Sequence, residues 1–214
     1  MLLLLKGSKM LKLIFFTGLC LILFTSCSST TKYGLVAGAQ KANYKETADV
    51  SSVITGNGTL LPDYTNEGNG FFIGISEELP WILTKIVYFQ NKYEDKDYSY
   101  DGTTYATALS ESGIRGSLAL KFGFFQPFIS FASYNSEYEV NGSSDETDYT
   151  ALGYGVDLEF NVGKDKYIYL GIELNTYEDT VVDGLVFAEQ TLEHQTIYLG
   201  YRQNFWTVGG KGSK

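Results

Sequence analysis

The residues able to do chemistry are few. The chain holds one histidine, His194, and a Ser or Thr nucleophile usually needs such a base beside it. "HQT" offers His194 and Thr196, but Thr196 is β-branched and hindered, and a lone histidine near a strand end is an ordinary occurrence. Glu159 and Glu173 could be read as an acid/base pair, although ion pairing explains them with fewer assumptions. No catalytic residue and no cofactor is therefore expected, and a hydrolase built on His194 is the residual enzyme reading. Acidic groups recur in polar stretches: Glu94, Asp95, Asp97 and Asp101; Asp145, Glu146 and Asp148; Glu178, Asp179 and Asp183. They read as solvated loops, with divalent-cation bridging to anionic lipid as the sharper reading. "DKDYSYDGTTYA" fails as a calcium loop, because Tyr100 stands where glycine is needed and Ala106 where a bidentate glutamate is needed, so no metal site is expected. "GNG" at Gly56 to Gly58 lacks the strand, helix and lysine of a phosphate loop.

The elements that carry these residues follow from composition and period. Among 214 residues there are 17 Tyr, 14 Phe and 23 Gly against 3 Pro, which suits strands and turns. A formal charge of -9 leaves no basic patch for phosphates, so nucleic acid is excluded as a partner. The N-terminus reads as an export signal over residues 1–27, with Met10 an alternative start, Lys12 as basic region and Leu13 to Phe24 as apolar core. Both cysteines, Cys20 and Cys27, lie in or at the edge of this signal, so neither a disulfide framework nor cysteine-based metal chemistry is expected beyond it.

Eight alternating runs are predicted as strands: Tyr33 to Glu46, Gly70 to Glu78, Ile82 to Glu94, Tyr105 to Phe122, Gln126 to Val140, Tyr149 to Val162, Lys166 to Thr180 and Leu192 to Phe205. One domain, 28–205, with a short tail, 206–214, is expected. The connections alternate. "EELPW", "FGFFQ" and "GKDK" are tight, whereas the stretches at 47–69, 95–104, 141–148 and 181–191 are long and polar. Such asymmetry is that of transmembrane barrels.

Within the strands, Leu152, Tyr154, Val156, Leu158, Phe160 and Val162 share one face while glycines and charges share the other. A narrow lumen needs small residues where large ones meet, so the glycine and charge face is assigned inward. Buried charges need partners: Asp157, Glu159, Glu173 and Glu111 are expected to meet Arg115, Lys121, Arg202 and Lys85. The apolar face then meets lipid. Interfacial aromatic girdles are expected at Tyr33, Trp81, Phe125, Tyr167 and Phe205 on the turn end, and at Tyr44, Tyr93, Tyr138, Tyr149 and Tyr177 on the loop end.

This pattern resembles the small eight-stranded outer-membrane barrels of the OmpA, OmpX and opacity type. The resemblance implies an all-β fold, an eight-stranded antiparallel up-and-down transmembrane β-barrel of a Gram-negative bacterium. "HQTIYLGYRQNF" resembles the final strand read by barrel-assembly machinery, with Tyr201 and Phe205 as the signal. "FTSC" resembles a lipobox, making Cys27 the lipidation candidate. The implied setting is the outer membrane, with periplasmic termini and extracellular loops. Implied partners are membrane lipid, lipopolysaccharide, the assembly machinery and an unidentified extracellular ligand, the protein itself being a monomer with a structural or adhesive role. Two other functions fit less of the pattern: a periplasmic lipocalin-like lipoprotein with an apolar cavity, and a lipid A enzyme, whose histidine and serine two residues apart would correspond here to His194 and Thr196.

Overall fold

A computed structural model describes residues 30–49, 64–100, 103–140, 143–183 and 186–209. Nine strands account for nearly all of them: β1 (Thr31–Asp49), β2 (Tyr64–Glu78), β3 (Ile82–Tyr93), β4 (Lys96–Tyr100), β5 (Thr103–Leu120), β6 (Phe125–Val140), β7 (Ser143–Gly163), β8 (Lys166–Asp183) and β9 (Val186–Val208). Every ladder is antiparallel, and each long strand pairs with its sequence neighbours. β1 pairs with β9, and β3 pairs with β5, so eight strands form a closed ring with β4 attached to β5 outside it. Closure gives each of the eight ring strands a neighbour on both sides, which is what a lipid environment requires of a β-structure.

The outer wall is apolar. Leu35, Ile73, Ile114, Ile129, Leu152, Leu170 and Leu199 each expose about half or more of their surface. Since successive side chains in a strand point to opposite faces, their neighbours Val36, Phe72, Arg115, Ser130, Tyr169 and Tyr198 turn inward and are buried. Inside, rings lie where glycines make room. A Cβ added at Gly171 would stand 2.2 Å from the Tyr198 ring, and one at Gly200 2.2 Å from the Tyr169 ring. At the turn end, Gly123 and Asp165 adopt positive φ of 68° and 57°, a conformation that glycine takes freely and aspartate tolerates.

Three expectations change. β4 is an additional strand, folded on β5 within a stretch read as loop, and the polar stretches at 141–148 and 181–191 are largely continuations of β6–β7 and β8–β9. Alternation in polarity disappears there because both faces of such a ribbon meet water, while the ladder itself continues. β9 also runs past Phe205 through Trp206 and Thr207, so the tail leaves the sheet at Gly209. Finally, the girdle is one-sided. Trp81, Phe125 and Phe205 are exposed at the turn end, with Tyr33 and Tyr167 half-buried, but Tyr44, Tyr93 and Tyr149 point into the lumen and are buried. Tyr177 is half-buried and packs against Tyr149. The side chain of Tyr138 lies outside the described residues, as do Cys20, Cys27 and Asp101 and the side chains of Asp145, Glu178, Asp179 and Asp183.

Candidate functional site: the lumen

The inward phase of the strands brings Lys85, Glu111, Arg115, Lys121, Asp157, Glu159, Glu173 and Arg202 into one interior. They form three layers. Nearest the short turns, Arg202 grips Glu159 through two nitrogens, Nε to Oε2 at 2.9 Å and Nη2 to Oε1 at 2.7 Å, and gives Nη1 to Glu78 Oε2 at 2.7 Å and to Asn204 Oδ1 at 2.9 Å. Its guanidinium lies 4.1 Å from the Tyr167 ring centroid. Glu78 also accepts from Lys121 Nζ and from Asn204 Nδ2 at 2.7 Å, and Glu159 accepts from Gln126 Nε2 at 2.9 Å. A bidentate guanidinium–carboxylate contact has a fixed planar geometry, so this layer is clamped.

In the middle layer Lys85 pairs with Asp157 and Arg115 with Glu173. Tyr198 donates its hydroxyl to Asp157 Oδ1 at 2.6 Å. Lys85 Nζ stands 4.6 Å from the Tyr169 ring centroid, and the Arg115 guanidinium 5.2 Å from that of Tyr198. The void between these side chains measures about 10 Å³, room for about one water.

The outer layer is different. Glu111 accepts hydroxyls from Tyr93 at 2.5 Å, Tyr149 at 2.6 Å and Ser136 at 3.0 Å. Among the described residues its single ion-pair contact is His194, with Nε2 at 3.5 Å. His194 Nε2 is 2.8 Å from the Tyr149 oxygen. The one Tyr149 proton is given to Glu111, so His194 must donate its own Nε2 hydrogen to Tyr149. The imidazole stacks on Tyr134 at 4.8 Å and meets Tyr44 edge-on at 5.1 Å. This leaves Nε2 engaged with a tyrosine rather than poised over a serine or threonine.

Tyr201 and Phe205, by contrast, lie on the outer wall, 40% and 63% exposed. The sequence reading assigned no role in the charge network to Glu78, Asn204 or Gln126, and it placed Tyr93 and Tyr149, which hold Glu111, in the interfacial girdle instead. Glu78 sits just before the β2–β3 turn, where its neighbour Glu77 gave no hint of which carboxylate points inward. Above the apolar wall, Lys41 Nζ and Glu67 Oε2 pair at 2.5 Å on the outside. Their hydrogen bond holds the Lys41 ammonium above its ordinary pKa and the Glu67 carboxyl below its own.

A closed antiparallel ring with an apolar outer wall and a salt-bridged interior is the architecture of a transmembrane β-barrel. The chain is similar to several solved structures. OprG, an outer-membrane protein of Pseudomonas aeruginosa, is 8% identical, with 84% of this chain and 98% of that one covered at a TM-score of 0.50. Neisserial surface protein A is 14% identical over 80% and 97% of the two chains at 0.49, and Ail, the attachment invasion locus protein of Yersinia pestis, 13% identical over 82% and 99% at 0.45. No protein-family model matches the chain, and neither does any curated protein. The chain has the fold of the small bacterial outer-membrane barrels.

Proposed function

We propose that this protein is a monomeric, non-porous outer-membrane barrel that serves as a rigid base for surface-exposed ribbons with a structural or adhesive role. The observation that carries it is the filled interior: the Arg202 clamp, the two mid-lumen ion pairs and the Glu111 cluster occupy successive levels. An eight-stranded ring leaves an interior that side chains fill, so solute passage is slight. The short turns and both termini lie on the periplasmic side, and β4 with the extended β6–β7 and β8–β9 hairpins on the outside. Lipid and lipopolysaccharide surround the wall, the assembly machinery inserts it, and Cys27 is the candidate anchor. No catalytic role is proposed for His194, whose Nε2 is engaged by Tyr149 and whose ring packs against Tyr44 and Tyr134. The water-soluble lipocalin reading requires the apolar faces inside, the reverse of the exposures on this wall.

Separated inner and outer membranes give the test. Unboiled protein from the outer-membrane fraction is expected to run faster on a gel than boiled protein, and planar bilayers holding it to show no sustained conductance. A soluble, heat-insensitive species, or stable open channels, would refute the reading.

A further inference from the structure

One buried carboxylate of the barrel stands apart from the lumen. Glu78 turns inward into the Arg202 clamp, so its neighbour Glu77 faces the outer wall, on the same side of β2 as the exposed Ile73 and Ile75. Its cross-strand neighbours are Tyr33 on β1 and Thr84 on β3, and Tyr33 is paired in turn with Trp206 on β9. Trp206 is exposed, and its ring meets that of Tyr33 at 6.4 Å. The row therefore runs level with the aromatic girdle of the turn end, where hydrocarbon gives way to headgroups.

The wall is notched at this level. Tyr33, Gly34, Ile75, Glu77, Thr84 and Ile86 line a hollow of about 350 Å³. Glu77 and Thr84 are 4% and 3% exposed, yet Glu77 Oε2 and the Thr84 hydroxyl have no hydrogen-bond partner. The Tyr33 hydroxyl donates to Glu77 Oε1 at 3.2 Å, long for a bond between oxygens. Among the described residues that is the only side-chain hydrogen bond Glu77 makes, and no cation pairs with it. The luminal Glu78, Asp157, Glu159 and Glu173 all have a lysine or arginine. A carboxylate left unsatisfied against lipid is costly, so the missing donor must come from what surrounds the wall.

We propose that this notch is a binding site for a phospholipid whose headgroup ends in a primary ammonium. An ammonium carries three hydrogens to donate, and the notch offers three oxygens, Glu77 Oε2, Thr84 Oγ1 and the hydroxyl oxygen of Tyr33. Hydrogen bonds to the carboxylate are charge-assisted. The single long bond to Tyr33 leaves the Glu77 carboxylate free to turn toward the incoming donor. An acyl chain of the same lipid then lies along Ile75, Ile86 and Ile73. A quaternary ammonium has the same charge but no hydrogen to give, and an anionic headgroup is repelled. The choice of lipid rests on the short turns being periplasmic, which sets the notch in the phospholipid leaflet rather than the lipopolysaccharide one.

The experiment uses the full-length protein carrying Trp81→Phe, folded into phosphatidylcholine vesicles, so that Trp206 beside Tyr33 is the one tryptophan left. Phosphatidylethanolamine, phosphatidylcholine and phosphatidylglycerol, each brominated on the acyl chains, are added in turn, and quenching of Trp206 gives their relative affinities. Phosphatidylethanolamine is expected to be preferred at least threefold over phosphatidylcholine, and phosphatidylglycerol not to exceed phosphatidylcholine. Glu77→Gln is expected to bring the preference close to one and to keep the heat-dependent gel shift. Thr84→Val, which leaves the carboxylate in place, is expected to lower the preference only in part. Equal quenching by the ethanolamine and choline lipids overturns the proposal, as does a preference unchanged in Glu77→Gln or matched by phosphatidylglycerol. Symmetric vesicles make this result independent of how the barrel faces in the cell. Protease digestion of intact cells tests that parent reading separately: outer ribbons protected in intact cells but cleaved after lysis would refute it, and with it the periplasmic leaflet as the source of the lipid, while the headgroup preference would stand.

Discussion

The two ends of the lumen hold buried carboxylates in opposite ways. Near the short turns, Glu159 and Glu78 are neutralised by Arg202 and Lys121 through charged contacts. Near the outer mouth, Glu111 is surrounded by hydroxyls and a histidine. The difference lies in what each arrangement tolerates. A clamp of full charges depends on every member, since removing one partner leaves an uncompensated ion. A carboxylate solvated by three hydroxyls shares its stabilisation among neutral donors, each contributing a modest part.

Arg202→Met tests the clamp most severely. It leaves Glu159 without a cation and Glu78 with Lys121 alone, and is expected to cost about 3–5 kcal/mol, read as a lowered midpoint of urea unfolding in lipid vesicles. Gly171→Val probes the layer between, because even a Cβ at that position meets the Tyr198 ring at 2.2 Å; about 1–3 kcal/mol is expected from overpacking. Glu111→Gln keeps an acceptor for one of the two tyrosines, which bind different carboxylate oxygens, and removes the charge both face, so about 1.5–3 kcal/mol is expected, the range for hydrogen bonds to ions. Should that variant lose as much as Arg202→Met, the two ends would be alike and the contrast would be wrong. The smallest effect belongs to the exposed Lys41–Glu67 pair. Because Glu67 titrates below its ordinary value when folded, its contribution is present above the unfolded carboxyl pKa and disappears as pH falls through the folded one. Lys41→Met is expected to leave the unfolding midpoint at neutral pH unchanged within error.

The outer wall was legible because β7, β8 and β9 alternate large apolar residues with glycine or charge, so the phase of each strand announces itself. β1 does not. In Gly34, Leu35, Val36, Ala37, Gly38 and Ala39 both faces carry small or apolar groups, and the inward turn of Val36, Ala42 and Tyr44 becomes visible only once register with β2 and β9 is known. The same ambiguity put Tyr44, Tyr93 and Tyr149 in an interfacial girdle, since a tyrosine suits a headgroup region and a wet mouth equally well. Which charges are inside could be read from period. Which carboxylate meets which cation could not, because such pairs join strands far apart in sequence, as Arg202 joins Glu78.

The seam between β1 and β9 carries a consequence for biosynthesis. It joins the two ends of the described chain over a ladder from Thr31↔Val208 to Asp49↔Glu189. An incomplete chain cannot make it. A product ending before β9 would leave β1 and β8 with raw edges, sticky toward any other strand, and lipid offers those edges no hydrogen-bonding partner. Closure therefore waits for β9: the ring can be sealed only after the last of its eight strands has been made.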